Sequence, residues 1–195
     1  MCGSIRDSVL AGSIIYGTAA AFVLTRKPEF IWLGSTLFVI GTIQLLDAAI
    51  WFFESSAIAR YGILSVLMLE PFIAYMGYVY YYKNRLPLYE LAYALFAIIS
   101  IYTWIIECED TTITKDGYLK WCDYDMTPLA KWSFMLLLLF PFLYFPDINH
   151  KILLLTTTLA AWAYNYNHEA FGSRWCYSTV IYCILASSLL VFHKR

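Results

Sequence analysis

Long apolar stretches alternate with short polar segments along the whole chain. A helix that crosses the hydrocarbon core of a bilayer needs about 20 mostly apolar residues, and seven stretches approach that length. They cover residues 8–24, 30–53, 58–82, 88–106, 129–145, 151–166 and 176–192. The pattern therefore predicts an all-α, polytopic integral membrane protein in which about seven transmembrane helices form one bundle.

The polar segment at residues 107–128 is longer than the other connections and carries many acidic side chains. Neither a glycine- or serine-rich linker nor an internal repeat divides the chain. We therefore expect a single transmembrane helical domain over residues 1–195, with residues 107–128 as an extracytoplasmic loop.

Composition agrees with a lipid environment. Hydrophobic residues make up 61% of the 195 residues, charged residues make up 14%, and the mean hydropathy is +0.62. Soluble domains average about 25% charged residues, and one aqueous core of this size cannot hide so much apolar surface. The lipid bilayer is the expected partner, whereas a net charge of -1 without a basic patch argues against nucleic acid.

Basic residues predict the orientation of the bundle, because Lys and Arg favour the cytoplasmic side of short loops. Most acidic residues fall on the face opposite the C-terminus. The face with the C-terminus has few acids and holds Arg26, Lys27, Lys83, Arg85, Lys151, Lys194 and Arg195. We expect the N-terminus outside and the C-terminus in the cytoplasm, in a plasma or secretory-pathway membrane.

Four of the five cysteines fall on the predicted outer face or at its boundary: Cys2, Cys108, Cys122 and Cys176. Oxidising compartments permit disulfides, and four cysteines allow three pairings. Cys108–Cys122, within one loop, and Cys2–Cys176 are the pairs we favour, while unpaired thiols at helix ends stay open. The spacings of Cys and His match no zinc motif, so we expect no metal site.

Carboxylates within the apolar stretches are the candidate functional residues, since ionisable groups are costly in hydrocarbon. Glu70 lies about 18 Å into the third stretch, near the expected midplane, and Pro71 follows it. Asp47 lies in the second stretch, and Gln44 lies one helical turn before it. A carboxylate beside the carbonyl that Pro71 leaves without its usual donor would suit a proton or a cation.

The sixth stretch adds polar residues towards the same outer side. We expect an outward-facing polar cavity with six candidate lining residues: Gln44, Asp47, Glu70, Asn165, His168 and Glu169. The alternative is that Asp47 and Glu70 are neutral or paired carboxyls that bond other helices, with His168 and Glu169 at the wet interface.

Small residues recur at helical spacing and predict close helix packing. In the first stretch they are Ser13, Gly17 and Ala21, and in the second they are Gly34, Gly41 and Ala48.

Several seven-helix classes lack their signatures here. The last stretch has no lysine for a retinal Schiff base, no His-x-x-x-His pair serves an alkaline ceramidase, and the Asp-Arg-Tyr and Asn-Pro-x-x-Tyr receptor motifs are missing. A Gly-x-Ser-x-Gly elbow, a phosphate-binding loop and an EF-hand are also missing. We expect no cofactor, and an enzyme is the less favoured class.

The residues Met1-Cys2-Gly3-Ser4 resemble the Met-Cys-x-Ser opening of uncharacterised multi-pass membrane proteins from bacteria, eukaryotes and large DNA viruses. Residues 44–47 are similar to a Gln-x-x-Glu segment of that group, with Asp47 keeping the carboxylate. Residues 69–72 and 172–176 resemble its Pro-Phe and Trp-Cys elements. The resemblance implies a helical membrane domain without a known reaction and, for a viral member, a host or virion membrane.

The leading hypothesis is therefore transport or sensing of a small solute, proton or cation through the polar cavity. A lipid-modifying enzyme that uses Asp47, His168 and Glu169 as acid and base is the second hypothesis. A structural or partner-binding membrane protein is the third.

Overall fold

The chain is almost entirely helical in this computed structural model, which describes residues 4–54, 57–107, 112–113, 119–120, 128–166 and 171–192. The predicted number of helices is confirmed. The seven α-helices among the described residues are α1 (Ile5–Leu24), α2 (Pro28–Phe53), α3 (Leu64–Tyr82), α4 (Pro87–Glu107), α5 (Pro128–Leu139), α6 (Ile148–Asn165) and α7 (Phe171–Phe192).

Four of these segments are long and apolar enough to cross a bilayer. They are Ile5–Leu24, Pro28–Phe53, Tyr61–Tyr82 and Pro87–Ile106. The apolar parts of the later helices are shorter, at Pro128–Tyr144 and Thr179–Leu190.

Local sequence signals explain the ends of the first two helices. Ser4 caps α1, and its Oγ accepts a hydrogen bond from the Asp7 backbone N–H at 3.2 Å. Pro28 occupies the first turn of α2, where its missing N–H is not needed. Glu54 ends α2 in the left-handed conformation with φ 50°.

The third predicted stretch is not uniformly α-helical. It begins with a π-helix at Ile58–Ile63 and continues as α3, which runs through Pro71 to Tyr82. The π-helix is rare, appears mostly as a single turn within an α-helix, and is frequent at functional sites.

The fifth stretch differs from the continuous helix predicted for residues 129–145, and that prediction is wrong. Helix α5 ends at Leu139, and a 3₁₀ turn follows at Pro141–Tyr144. Pro141 explains the break, because it has no N–H to donate and its ring clashes with the preceding turn. At about 1.5 Å per residue, the 12 residues of α5 span about 18 Å, well short of a hydrocarbon core.

The long loop between α4 and α5 contains a short antiparallel strand pair, β1 (Thr112–Ile113) and β2 (Leu119–Lys120). Leu119 is 3% exposed, and β2 contacts α7. At this point the loop lies against the bundle instead of extending away from it.

Helices α1, α2 and α3 form the best-packed part of the bundle. Gly34 lies so close to α1 that a Cβ there would fall 2.8 Å from the Ala19 carbonyl oxygen. Gly41 of α2 is close to Ile15 of α1. The predicted packing role of Gly34 and Gly41 is therefore confirmed, and Ala48 is buried as well.

The predicted small-residue face of α1 is wrong as a contact within the chain. Ser13, Gly17 and Ala21 are all exposed, and a Cβ at Gly17 would meet no atom within 4 Å. Helix α1 instead buries the neighbouring face that contains Gly12 and Ile15. Spacing identified small residues correctly but assigned them to the wrong side of the helix.

Candidate functional site

Glu70 is the most isolated buried carboxyl among the described residues. Its side chain is 0% exposed, and neither carboxyl oxygen has a hydrogen-bond partner in the part of the chain that the structure describes. Glu70 lies seven residues before Gly77, so the two share one face of α3. Gly77 packs against Trp32 of α2, which means that Glu70 faces α2 and the bundle interior.

Two tyrosines of α4 bond the backbone of α3 on either side of Glu70. The Tyr93 hydroxyl donates to the Met68 carbonyl oxygen at 2.9 Å. The Tyr89 hydroxyl lies 3.0 Å from the Pro71 carbonyl oxygen and 2.7 Å from that of Leu137. These bonds join α3, α4 and α5 around Glu70. Neither tyrosine hydroxyl bonds the Glu70 carboxyl, which lies in the interior of the bundle.

Gln44 and Asp47 lie at the end of α2 that is near the N-terminus of α1. They are 1% and 0% exposed. Gln44 is close to Gly12 of α1, with its Cβ 3.3 Å from the position that a Cβ at Gly12 would take. The predicted helical face continues past Asp47 through half-buried Trp51 to exposed Glu54, so it runs from the interior to the surface.

The helix contacts place Asp47 and Glu70 at different heights in the bundle. On antiparallel α2 and α3, Gly62 contacts Leu46 and Gly77 contacts Trp32. Asp47 is therefore level with Gly62, whereas Glu70 is eight residues further along α3, or about 12 Å. The two carboxyls do not share a hydrogen-bonded site, which separates two residues that the sequence placed in one cavity.

Asn165 lies near the C-terminal end of α6 and is 5% exposed. Its Nδ2 donates to the Ala161 carbonyl oxygen of the same helix at 2.9 Å. The predicted partners His168 and Glu169 lie outside the described residues. Their part in a cavity stays a prediction.

Lys131 of α5 is a buried lysine that the sequence did not indicate as a candidate. It is 8% exposed, its Nζ donates to the Tyr166 carbonyl oxygen at 3.4 Å, and it lies 5.6 Å from the centre of the Tyr166 ring. Its burial depends on the end of α6 reaching it, which the sequence around Pro128 does not indicate. Tyr166 directly follows Asn165, the last residue of α6.

A second overlooked group is the pair Asp147 and His150 at the start of α6. Asp147 Oδ1 accepts from both the backbone N–H and Nδ1 of His150, each at 2.9 Å. His150 is 2% exposed, and its ring meets Phe22 and Phe30 edge-on at 5.6 and 5.1 Å. Its Nε2 has no hydrogen-bond partner among the described residues. An Asp followed three residues later by His at a helix start was the available signal.

A cavity of about 30 Å³ lies between α2, α5, α6 and α7. The polar residues that line it all carry hydroxyl groups: Thr36, Thr157, Thr158, Thr179 and Tyr182. None of the described candidates Gln44, Asp47, Glu70 and Asn165 lines it. The sequence missed this cavity because threonines are common in apolar helices and become a site only when four helices bring them together.

The described residues contain no group of three or more His, Cys, Asp and Glu side chains that would suit a metal ion. Cys2, Cys108 and Cys122 lie outside the described residues, and of Cys176 only the backbone, in α7, is described. Both predicted disulfides stay predictions. Cys183 is a free, buried thiol.

Comparisons with protein families, curated proteins and solved structures give no match to this chain. The resemblance carried by Met1-Cys2-Gly3-Ser4 and residues 44–47 stays a prediction.

Proposed function

We propose that this chain is a multi-pass membrane protein that moves protons, with Glu70 as the group that takes up and releases them. The observation that carries the proposal is the complete burial of Glu70 without a hydrogen-bond partner among the described residues. A carboxyl in hydrocarbon costs free energy that a purely structural helix avoids, so such a residue marks an ion or proton path.

The surface of α4 supports a bilayer as the solvent. Leu88 is 80% exposed, Ile98 66% and Tyr102 67%, and their neighbours on the helix include further exposed leucines and isoleucines. In water a contiguous apolar face of this kind would promote aggregation. Hydrocarbon chains cover such a face without cost.

Three buried titratable groups are spaced along the bundle axis. Asp47 lies about 12 Å from the level of Glu70 on one side. On the other side lies His150, which contacts Phe30 of α2. By the same helix register Glu70 is level with Val39, and Phe30 is nine residues before Val39 on α2. That adds about 13 Å, so the three groups span about 25 Å of a hydrocarbon core that is about 30 Å thick.

This spacing supports a proton path with three proton-binding groups: Asp47 at the outer end, Glu70 at the centre and His150 at the inner end. With the N-terminus outside, as the distribution of Lys and Arg favours, Asp47 faces the exterior and His150 the cytoplasm. Hops of about 12 Å are too long for direct proton transfer, because hydrogen bonds join atoms about 3 Å apart. Water molecules or hydroxyl groups must therefore connect these three side chains.

Proton movement into liposomes tests the proposal. The full chain is reconstituted, a pH gradient is imposed, and a dye in the lumen reports the internal pH. We expect entry above that of empty liposomes in the wild type, its loss in Glu70→Gln, and its retention in Glu54→Gln. Glu54 is the matched control because it makes the same chemical change at an exposed position.

Two outcomes contradict the proposal. Wild-type liposomes that match empty ones would favour a structural or partner-binding role. Equal flux in wild type and Glu70→Gln would remove Glu70 from the path.

A further inference from the structure

The cavity between α2, α5, α6 and α7 lies at about the height of Glu70. Its α2 wall runs from Leu33 to Ile40, and the contacts of Gly62 and Gly77 place Glu70 level with Val39. Glu70 itself faces the interior beside α2. The cavity and the buried carboxyl therefore occupy the same layer of the bundle.

Tyr182 is a buried polar residue in the wall of the cavity. Its side chain is 2% exposed, and its hydroxyl has no hydrogen-bond partner within the described ranges of the chain. A buried hydroxyl without a partner is costly. The cavity that Tyr182 lines has a volume of about 30 Å³, which is large enough for a water molecule.

The threonines offer the acceptors that such a water molecule needs. Thr36 Oγ1 donates its hydrogen to the Trp32 carbonyl oxygen at 3.2 Å. Thr157 Oγ1 lies 2.7 Å from the Leu153 carbonyl oxygen. Because each hydroxyl gives its one hydrogen to the backbone of its own helix, its oxygen lone pairs remain available as acceptors.

We propose that this cavity binds one or two ordered water molecules, held by Tyr182, Thr36 and Thr157, and that this water continues the proton path from Glu70. Water accepts from Tyr182 and donates to the two threonines, which gives three hydrogen bonds, the usual number for a buried water. The role in the path rests on the proposed function, whereas the binding of water does not.

The onward direction is towards the cytoplasmic end of the bundle. Leu154, which lines the cavity, lies one helical turn after His150 on α6. Asp147 in turn bonds His150. The hydrated cavity thus lies between the central carboxyl and the Asp147–His150 pair.

Thermal unfolding of the detergent-purified full chain tests the binding of water, because the direction of the Tm change in Tyr182→Phe differs with and without a bound water. If water satisfies Tyr182, the variant Tyr182→Phe loses a hydrogen bond, and we expect Tm to fall by about 2–4 °C. If the hydroxyl has no partner, its removal relieves a desolvation cost and Tm rises. The matched control is Tyr89→Phe, which loses contacts to the Pro71 and Leu137 carbonyl oxygens and must lower Tm in either case.

Proton flux in liposomes then tests the role in the path. We expect Tyr182→Phe to slow entry severalfold while it remains folded. A rise in Tm for Tyr182→Phe overturns the binding of water. A fall in Tm with wild-type flux overturns the role in the path. If the wild type moves no protons, the proposed function and the role in the path both fail, and the sign of the Tm shift still decides whether water is bound.

Discussion

Gly77 of α3 packs directly against the indole ring of Trp32 of α2, so that a Cβ at position 77 would overlap ring atoms. Trp32 is itself fixed in place, with 1% exposure and a stacked Phe142 ring at 5.3 Å and 13°. This contact sets the register of α2 against α3. It therefore also sets the height at which Glu70 enters the bundle.

We expect Gly77→Ala to lower the free energy of unfolding by roughly 1–3 kcal/mol, because overpacking a rigid contact forces the helices apart. The control is Gly17→Ala, where a Cβ meets nothing within 4 Å and alanine favours the helix. Thermal unfolding of both variants gives the comparison. Equal losses of stability would show that the Gly77–Trp32 contact does not limit the approach of α2 and α3.

Asp147 combines two roles that different substitutions separate. Its side chain caps α6 and also bonds His150 Nδ1. Asp147→Ala removes both and is expected to cost about 1–2 kcal/mol of unfolding free energy. Asp147→Asn keeps a cap acceptor and is expected to cost less. Chemical denaturation of the two variants measures the difference, and equal costs would mean that the cap contributes little.

The turn between α3 and α4 is held more by Tyr75 than by its ion pair. Arg85 and Glu90 form a two-pronged pair at 2.8 and 2.7 Å, and the Glu90 carboxylate raises the pKa of the Arg85 guanidinium above its ordinary value. The Arg85 side chain is 74% exposed. An exposed pair contributes little to stability, so we expect Arg85→Ala to have a small effect that salt reduces.

Tyr75 is 5% exposed, donates to Glu90 Oε1 at 2.8 Å and accepts from the Leu86 backbone N–H at 2.8 Å. Tyr75→Phe leaves that N–H without its partner and is expected to cost about 1–3 kcal/mol. Unfolding measured at low and high salt distinguishes the two variants. A larger loss for Arg85→Ala would reverse this ranking.

We expect the Glu70 carboxyl to lower the free energy of unfolding and to be kept for its function. We expect Glu70→Met to raise the free energy of unfolding by about 1–2 kcal/mol, because an apolar side chain of similar length removes a buried polar group without a described partner. Glu54→Met, at the exposed end of α2, serves as the control. Destabilisation by Glu70→Met would indicate that the carboxyl makes a bond that stabilises the fold.

The sequence predicted the helices well, because apolar stretches of about 20 residues have few other solutions. It missed the break in the fifth stretch, because hydropathy alone does not take account of the backbone N–H that Pro141 lacks. It also identified Glu70 and Asp47 as buried carboxyls. It also placed Glu70 deeper in the membrane than Asp47, but it could not give their separation along the bundle, because the register of α2 against α3 depends on the long-range contacts of Gly62 and Gly77.

The hydroxyl cavity and the burial of Lys131 and His150 were not predictable for a related reason. Each depends on which helices meet, and periodicity within one helix carries no such information. Thr36, Thr157 and Tyr182 lie on three different helices. Only the assembled bundle makes them neighbours of a single cavity.

The central claim is that Glu70 takes up and releases a proton inside the bundle, and infrared difference spectroscopy of the full chain in lipid tests it most directly. A pH step should change the C=O band of a protonated carboxyl in the wild type. We expect that change to disappear in Glu70→Gln and to persist in Glu54→Gln. The same carboxyl band change in wild type and Glu70→Gln would contradict the account.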